Sequence, residues 1–495
     1  MRGCRVVRVF CACLVILLCF SCDSADPLEQ ENEQPCISKD KTVVERISGM
    51  QVSPAVQPEF PIPTAQQLEW QRDELYLFIH FGINTFTGDE WGDGTASPKV
   101  FNPPSVDVDQ WVRIAKEGGF KGLILTAKHH EGFALWPTKQ SDYSVQQSPW
   151  EKGQGDVVKL LAEACRKAGI KFGLYVSPWD RYEPTYGTPA YHDFFVAQLT
   201  ELLTEYGPVF EVWLDSARDP SVQFEYDFER YFRTIRQLQP DALIANLGPD
   251  IRWVGNEIGQ VPERQYSFVN DTWWYPVECD VSIRPHWFWR GNEDSKVKSS
   301  TELLNLYFGC VGRNGVLLLG TAPNREGVIP EQDEVQLLRF NSRLKQIFED
   351  NLIETEAVIA SSERDTEKWG VQNVLDSSPL NFWISEEGDH SASIEVSVPE
   401  CQSLNIIELK EPIQFGQRID WHRIEIERGG RWQTVAEGST VGYKRLHQIP
   451  EQRGSRLRIT VRSADSSPAL EFIGAYFSPS LEIDARVRRY HLFPK

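Results

Sequence analysis

The sequence predicts a TIM-like (β/α) barrel followed by an antiparallel β-sandwich, and three observations carry that reading. Between about residues 70 and 350, short apolar runs alternate with amphipathic stretches, the pattern of βα units around a parallel sheet. Polar or titratable groups stand at or near the carboxyl ends of four of those runs, where a barrel of this kind presents its functional side chains. After residue 350 the texture changes to short strands between polar turns, as in a sandwich of roughly 125 residues.

Taken in chain order, Arg2, Arg5 and Arg8 precede an apolar run from Val9 to Phe20, with Ser21 before Cys22, the layout of an export signal. The Cys19-Phe20-Ser21-Cys22 ending is similar to a lipobox, so residues 1–21 are expected to be removed and Cys22 lipidated; a plain cleavable signal is the competing reading. Residues 22–60, acidic from Asp23 to Gln34, are expected to be a solvated tether. The protein is then exported, periplasmic or anchored to the outer membrane of a bacterium, with lipid on Cys22 as its only membrane contact.

Residues 61–352 are expected to form the barrel. Its candidate strands are Leu75–Ile83, Gly122–His129, Phe172–Ser177, Phe210–Asp215, Ala242–Asn246, Asp280–Arg284 and Val316–Leu319. Helical period marks Val157–Ala168, closed by Gly169, and Tyr191–Tyr206, closed by Gly207. A long amphipathic helix, Glu331–Asp350, leads into the sandwich at 353–480. Its candidate strands are Trp383-Ile384, Ser393–Val398, Ser403–Leu409, Trp421–Glu427, Arg456–Val461 and Leu470–Phe477. Residues 481–495 form a tail.

Composition narrows the partners. Lys and Arg total 51 against 71 Asp and Glu, a net charge of −20, so the surface repels polyphosphates and nucleic acid is excluded as a partner. The chain has 16 Trp and 2 Met; Trp brings a flat face with an N–H donor, which suits sugar rings. Outside the leader, Cys36, Cys165, Cys279, Cys310 and Cys401 are scattered singly, so buried free thiols are expected rather than a disulfide framework.

The chemistry starts at Glu211-Val-Trp-Leu-Asp215, an apolar run ending in a carboxylate. About one βα unit later, Glu257 lies in the Gly- and Trp-rich Arg252-Trp-Val-Gly-Asn-Glu257. Two carboxylates converging at a barrel mouth suit glycoside hydrolysis, one attacking the anomeric carbon and the other protonating the leaving oxygen. The acid must hold its proton, and Trp253, Val254 and Ile258 can supply the apolar setting. The residues leave open whether the pair is about 5 Å apart, giving retention, or wider, giving inversion. His80, His129 and His130 fit as donors to sugar hydroxyls. Adjacent His129 and His130 on a strand would point to opposite faces, and no HxH or HExxH motif is present, so no metal is expected. Glu90-Trp91 and Trp179-Asp180 add acceptor and ring together. No cofactor is called for.

The runs His80-Phe-Gly, Glu90-Trp-Gly-Asp-Gly94, Lys128-His-His-Glu-Gly-Phe-Ala-Leu-Trp-Pro137, Ser177-Pro-Trp-Asp180, Val212-Trp-Leu-Asp215, Trp253-Val-Gly-Asn-Glu257 and Val311-Gly-Arg-Asn-Gly-Val-Leu-Leu-Leu319 resemble glycoside hydrolase family 29, the α-L-fucosidases. The resemblance implies a retaining exo-fucosidase acting on fucosylated oligosaccharides or glycoconjugates, with Asp215 as nucleophile and Glu257 as acid/base. It implies that His80, Glu90, Trp91, His129, His130 and Tyr175 line the fucose pocket, with Trp287 on its aglycone side. The Val-Gly-Asn-Glu run looks like the branch cleaving α-1,3/1,4-linked fucose from Lewis-type glycans, the alternative being broad α-1,2 or α-1,6 activity. The chain departs from the family's pattern at Glu131, at Ser216, and at His286, Trp289 and Arg290; Trp287 and Trp289 would share one face if that segment is extended. Asn373-Val-Leu-Asp376 and Asn381-Phe-Trp383 resemble a discoidin-like module. Two rival readings are a glycan-binding lipoprotein with an inert barrel and a metal-dependent hydrolase using His80, His129 and His130.

Overall fold

The computed structural model describes residues 56, 58–59, 61–267, 273–376, 378 and 380–479. The expected signal, Cys22, most of the tether, Cys36 and the expected tail lie outside the described residues. No helix among the described residues is long and apolar enough to cross a membrane.

Eight parallel strands form the first sheet: β1 (Leu75–Ile79), β2 (Gly122–Lys128), β3 (Lys171–Val176), β4 (Glu211–Leu214), β5 (Leu243–Asn246), β6 (Arg252–Trp253), β7 (Val277–Ser282) and β8 (Gly315–Thr321). They pair in the order β5-β4-β3-β2-β1-β8-β7-β6. The barrel is nearly closed, and a backbone bond from Ile251 N–H to the Ile244 carbonyl (3.3 Å) lies across the β5/β6 seam. Sequence reading misses β6 because two residues, one of them Arg252, make no apolar run. It also carries β1 and β2 too far: pairing stops before His80 and His129, so those side chains escape strand alternation.

Helices cover the outside, and local chemistry sets their ends. Asp156 accepts from the Lys159 N–H to start Val157–Ala168, and Gly169 ends it in the left-handed region (φ 66°, ψ 39°), where a side chain would add strain. Asp107 caps Val108–Glu117 through the Gln110 N–H in the same way. The apolar stripe of each helix packs on outward-facing strand residues such as Leu123, Leu125, Val212 and Leu214. Inside the barrel, Trp70, Tyr76, Phe78, Trp213, Val316 and Leu318 form a separate plug that closes the amino-terminal end.

After the helix Glu331–Phe348 come β9 (Glu354–Ala360), β10 (Trp383–Ile384), β11 (Ser391–Ser397), β12 (Leu404–Lys410), β13 (Trp421–Arg428), β14 (Arg431–Gly438), β15 (Arg445–Gln452), β16 (Arg456–Arg462), β17 (Ala469–Leu470) and β18 (Phe472–Tyr476). A five-stranded sheet (β14-β13-β16-β11-β9) faces a three-stranded one (β15-β12-β18) across one aliphatic core that includes Ile394, Ile424, Ile459, Ile407 and Ile473. β9, β14 and β15 go unseen in the sequence because each mixes charged residues with its apolar ones. Cys165, Cys279 and Cys310 are buried free thiols as expected, whereas Cys401 is exposed.

The sandwich is bolted to the barrel by buried charge. Lys444 Nζ sits 2.5 Å from Glu74 Oε1, and the Tyr443 and Tyr307 hydroxyls donate to the same carboxylate at 2.8 and 2.5 Å. Glu408 lies 3.5 Å from Lys444 on the other side. The main chains also join, with Leu446 N–H donating to the Gly312 carbonyl at 2.9 Å.

Candidate active site

Alternation along β4 turns Val212 and Leu214 outward into the helix-packed core and Glu211, Trp213 and Asp215 toward the barrel axis. Asp215 follows the last paired residue and stands at the carboxyl-terminal mouth. The Tyr175 hydroxyl donates to its Oδ2 at 2.7 Å, and the Ala217 N–H to its Oδ1 at 2.8 Å. Both oxygens therefore have a donor. Tyr175 is itself clamped, because its ring stacks on Trp213 (centroids 5.4 Å apart, 24° between planes). The Trp213 indole N–H is in turn held by Glu278 at 2.8 Å.

His129 and His130 both face this pocket, with ring centroids 4.1 Å apart. The opposite-face expectation fails because β2 ends at Lys128 and the two histidines lie in the turn beyond it. That turn needs Gly132 (φ 93°), since a Cβ there would sit 2.2 Å from Asp180 Oδ1. Asp180 is fixed in place because buried Lys128 bonds it and Gln198, each at 2.8 Å. Ser177 Oγ lies 2.8 Å from the Trp179 carbonyl oxygen and 2.7 Å from His130 Nδ1. His130 Nε2 lies 3.8 Å from Asp215 Oδ2.

Burial holds all three histidines neutral. It pushes His129 down to about 4 and His130 to about 3, outweighing the opposing pull of Asp215. His80 lies well below its ordinary value through burial, followed by repulsion from His129 and His130. Neutral imidazoles each offer one donor and one acceptor, which matches sugar hydroxyls. The Nδ1 atoms of His80 and His129 are buried and have no hydrogen-bond partner.

Glu90 engages the loop after β7. Its Oε1 accepts the Trp287 backbone N–H at 2.7 Å, and its Oε2 lies 3.3 Å from Arg290. Arg290 also meets His286 Nε2 at 3.1 Å, while His286 Nδ1 bonds Glu293. His286, Trp289 and Arg290 are joined unequally: His286 and Arg290 share one network with Glu90, and Trp289 stands outside it. The segment is a series of bends, not a strand, so Trp287 and Trp289 do not share a strand face. Trp287 stacks on His80 (4.7 Å, 28°). Trp91 is 52% exposed and meets the His130 and Trp179 rings edge-on at 5.8 and 5.7 Å. It is a rim residue, not a wall.

Glu257 is reached from the other side. It is solvent-accessible, and Ile258 beside it is 66% exposed, so Ile258 does not supply the expected apolar cover. The carboxyl is nevertheless raised above its ordinary value, first by partial burial and then by the Asp215 charge, against the Trp287 side chain, which favours the ionised form. Asp215 and Glu257 thus face one space with different needs, one held by donors and the other disposed to keep its proton.

Sequence reading misses Asp280. It is buried on β7, and its Oδ1 accepts the Trp253 indole N–H at 2.6 Å. Burial, then the charges of Glu257 and Asp215, push it up to about 8. A signal was available: Glu278-Cys-Asp280 places two acids at one strand parity with a buried thiol between them. Among the described residues, no group of three His, Cys, Asp or Glu side chains is arranged to hold a metal ion.

Known proteins resemble this chain in sequence and in fold. The family model described as α-L-fucosidase matches residues 66–347. α-L-Fucosidase 1 of Arabidopsis thaliana is 42% identical over 447 residues, covering 85% of this chain and 88% of its own. Among solved structures, a Ruminococcus gnavus GH29 fucosidase in complex with fucose superposes with a TM-score of 0.81 at 30% identity, over 86% of this chain and 97% of that one. A glycoside hydrolase 29 family member from an unknown rumen bacterium gives a TM-score of 0.75 at 35% identity, over 87% and 79%.

Proposed function

Since this chain belongs to the α-L-fucosidases of glycoside hydrolase family 29, we propose that it is a retaining exo-enzyme that releases α-1,3/1,4-linked L-fucose from Lewis-type glycans. The observation that carries the mechanism is the contrast between its two carboxyl groups. Asp215 has a donor on each oxygen, at 2.7 and 2.8 Å, whereas Glu257 is raised by partial burial and by the Asp215 charge. In the first displacement an Asp215 oxygen bonds to C1 of fucose as the bond from C1 to the aglycone oxygen breaks, and the Glu257 proton passes to that oxygen. In the second, water bonds to C1, its proton returns to Glu257, and the ester to Asp215 breaks.

His80, Glu90, Trp91, His129, His130, Tyr175 and Trp287 line the sugar site. Neutral His80 and His129 offer ring hydroxyls a donor or an acceptor, and Trp287 and Trp91 offer faces at the rim. Much of the rate comes from such contacts tightening as positive charge develops at C1. The linkage preference is supported by the Val254-Gly-Asn-Glu257 run. The C-terminal sandwich is read as a discoidin-like module bracing the barrel, and Cys22 as a lipid anchor in an exported protein.

The test is fucose release from a Lewis-a or Lewis-x trisaccharide beside an α-1,2-fucosylated lactose, with and without chelator. Release from the branched sugar alone, unaffected by chelator, is expected. Release from the linear sugar alone overturns the linkage assignment, and loss on chelation overturns the two-carboxylate mechanism.

A further inference from the structure

We propose that Asp280 is a positioning residue for Glu257, acting through Trp253 to set where the acid/base carboxyl stands. The inference rests on the reading of Glu257 as acid/base. Glu257 is carried on the stretch that leaves β6, four residues after Trp253. That strand is two residues long and sits at the open seam of the barrel. Its backbone ties to β7 are the bonds from Arg252 N–H to Pro276 and from Val254 N–H to Glu278, at 3.0 and 2.9 Å. A strand so short gives little rigidity of its own. The 2.6 Å bond from the Trp253 indole to Asp280 pins it from the barrel interior. Beyond Trp253 the loop is closed by Asn256, which accepts from Ile258 N–H at 3.1 Å and donates to the Gln260 carbonyl at 3.2 Å. A shift at Trp253 therefore reaches Glu257 with little slack to absorb it.

The choice of residue is informative. Asp280 is 4% exposed and feels the charges of both Glu257 and Asp215, with Glu278 two residues back on the same strand and Cys279 between. A third carboxyl in that place is costly unless protonated. With its titration pushed up to about 8, it is neutral at pH 7 and holds the indole without adding charge beside the nucleophile.

The experiment uses the full-length enzyme and two substrates. One is an aryl α-L-fucoside, whose leaving group needs little protonation; the other is a fucosyl disaccharide, whose leaving group needs it fully. Trp253→Phe removes the indole N–H and keeps an aromatic ring; Asp280→Ala removes the acceptor; Asp280→Asn keeps one oxygen for the indole. Trp253→Phe and Asp280→Ala are expected to lose on the order of 100-fold in kcat/KM on the disaccharide, within the range of lost general acid catalysis, and less than about fivefold on the aryl fucoside. Asp280→Asn should recover most of the disaccharide loss. Equal losses on both substrates, or no loss from Trp253→Phe, overturn the proposal. Should Asp280→Ala fail to fold, Trp253→Phe decides alone. Glu257→Ala is run alongside: if it shows no split between the substrates, the acid/base reading falls instead.

Discussion

The Tyr175 hydroxyl donates to Asp215 Oδ2 at 2.7 Å, from the strand beside the nucleophile's own, and its ring is held by Trp213, which in turn hangs on Glu278. The barrel floor and its catalytic rim are therefore one construction. Tyr175→Phe keeps the stacked ring and removes the donor. A hydrogen bond to a charged group is worth about 1.5–3 kcal/mol, so kcat should fall roughly 10- to 100-fold while thermal stability changes little. Kinetics with an aryl fucoside, beside a melting curve, check this.

Glu257 is raised by burial and by Asp215, so it holds its proton to a higher pH than an ordinary carboxyl and loses it as pH climbs. The alkaline limb of kcat/KM should report that loss. In Glu257→Gln the limb should vanish on an aryl fucoside, and hydrolysis of a fucosyl disaccharide should drop by about 100-fold or more. A limb that persists unchanged in the variant assigns it to another group.

Glu131 should make stability fall between about pH 4.5 and 7. Burial lifts its carboxyl from 4.5 to about 7, so in this window the unfolded chain has lost a proton that the folded chain still holds. The stabilisation is complete below the ordinary carboxylate value and is gone once pH passes about 7. His129 and His130, pushed down to about 4 and 3, act in the opposite sense over much of the same range, so the comparison is between proteins. Glu131→Gln, which cannot ionise, should gain in melting temperature relative to the parent as pH rises from 4.5 to 7, and the difference should level off above 7.

Lys444 and Glu74 meet at 2.5 Å between sandwich and barrel. Lys444→Met leaves a buried carboxylate without its cation, and removing one member of a buried pair costs about 3–5 kcal/mol. The double variant with Glu74→Gln should recover part of that loss. Denaturant titration of the single and double variants measures the coupling.

The barrel was legible because its strands are continuous apolar runs. Gly122–Lys128 and Gly315–Thr321, buried along their whole length, announce a parallel sheet without any need of alignment. Helix ends were legible too, since Asp156 and Gly169 act on their nearest backbone. β6 and β14 were not, because Arg252–Trp253 and Arg431–Gly438 owe their conformation to the neighbouring strands rather than to their own residues.

The same division runs through the site. Residue order carries the chemistry: carboxyls at strand ends, a pair of histidines, and Trp faces at set spacings along a barrel. Tertiary structure alone decided how those groups are used. It turned His129 and His130 to one side by ending β2 early, joined Glu90 to Arg290 from 200 residues away, left Ile258 in solvent, and set Asp280 against the Trp253 indole. Each of these depends on distance through space and on local exclusion of water, and neither quantity is written in the order of residues along the chain.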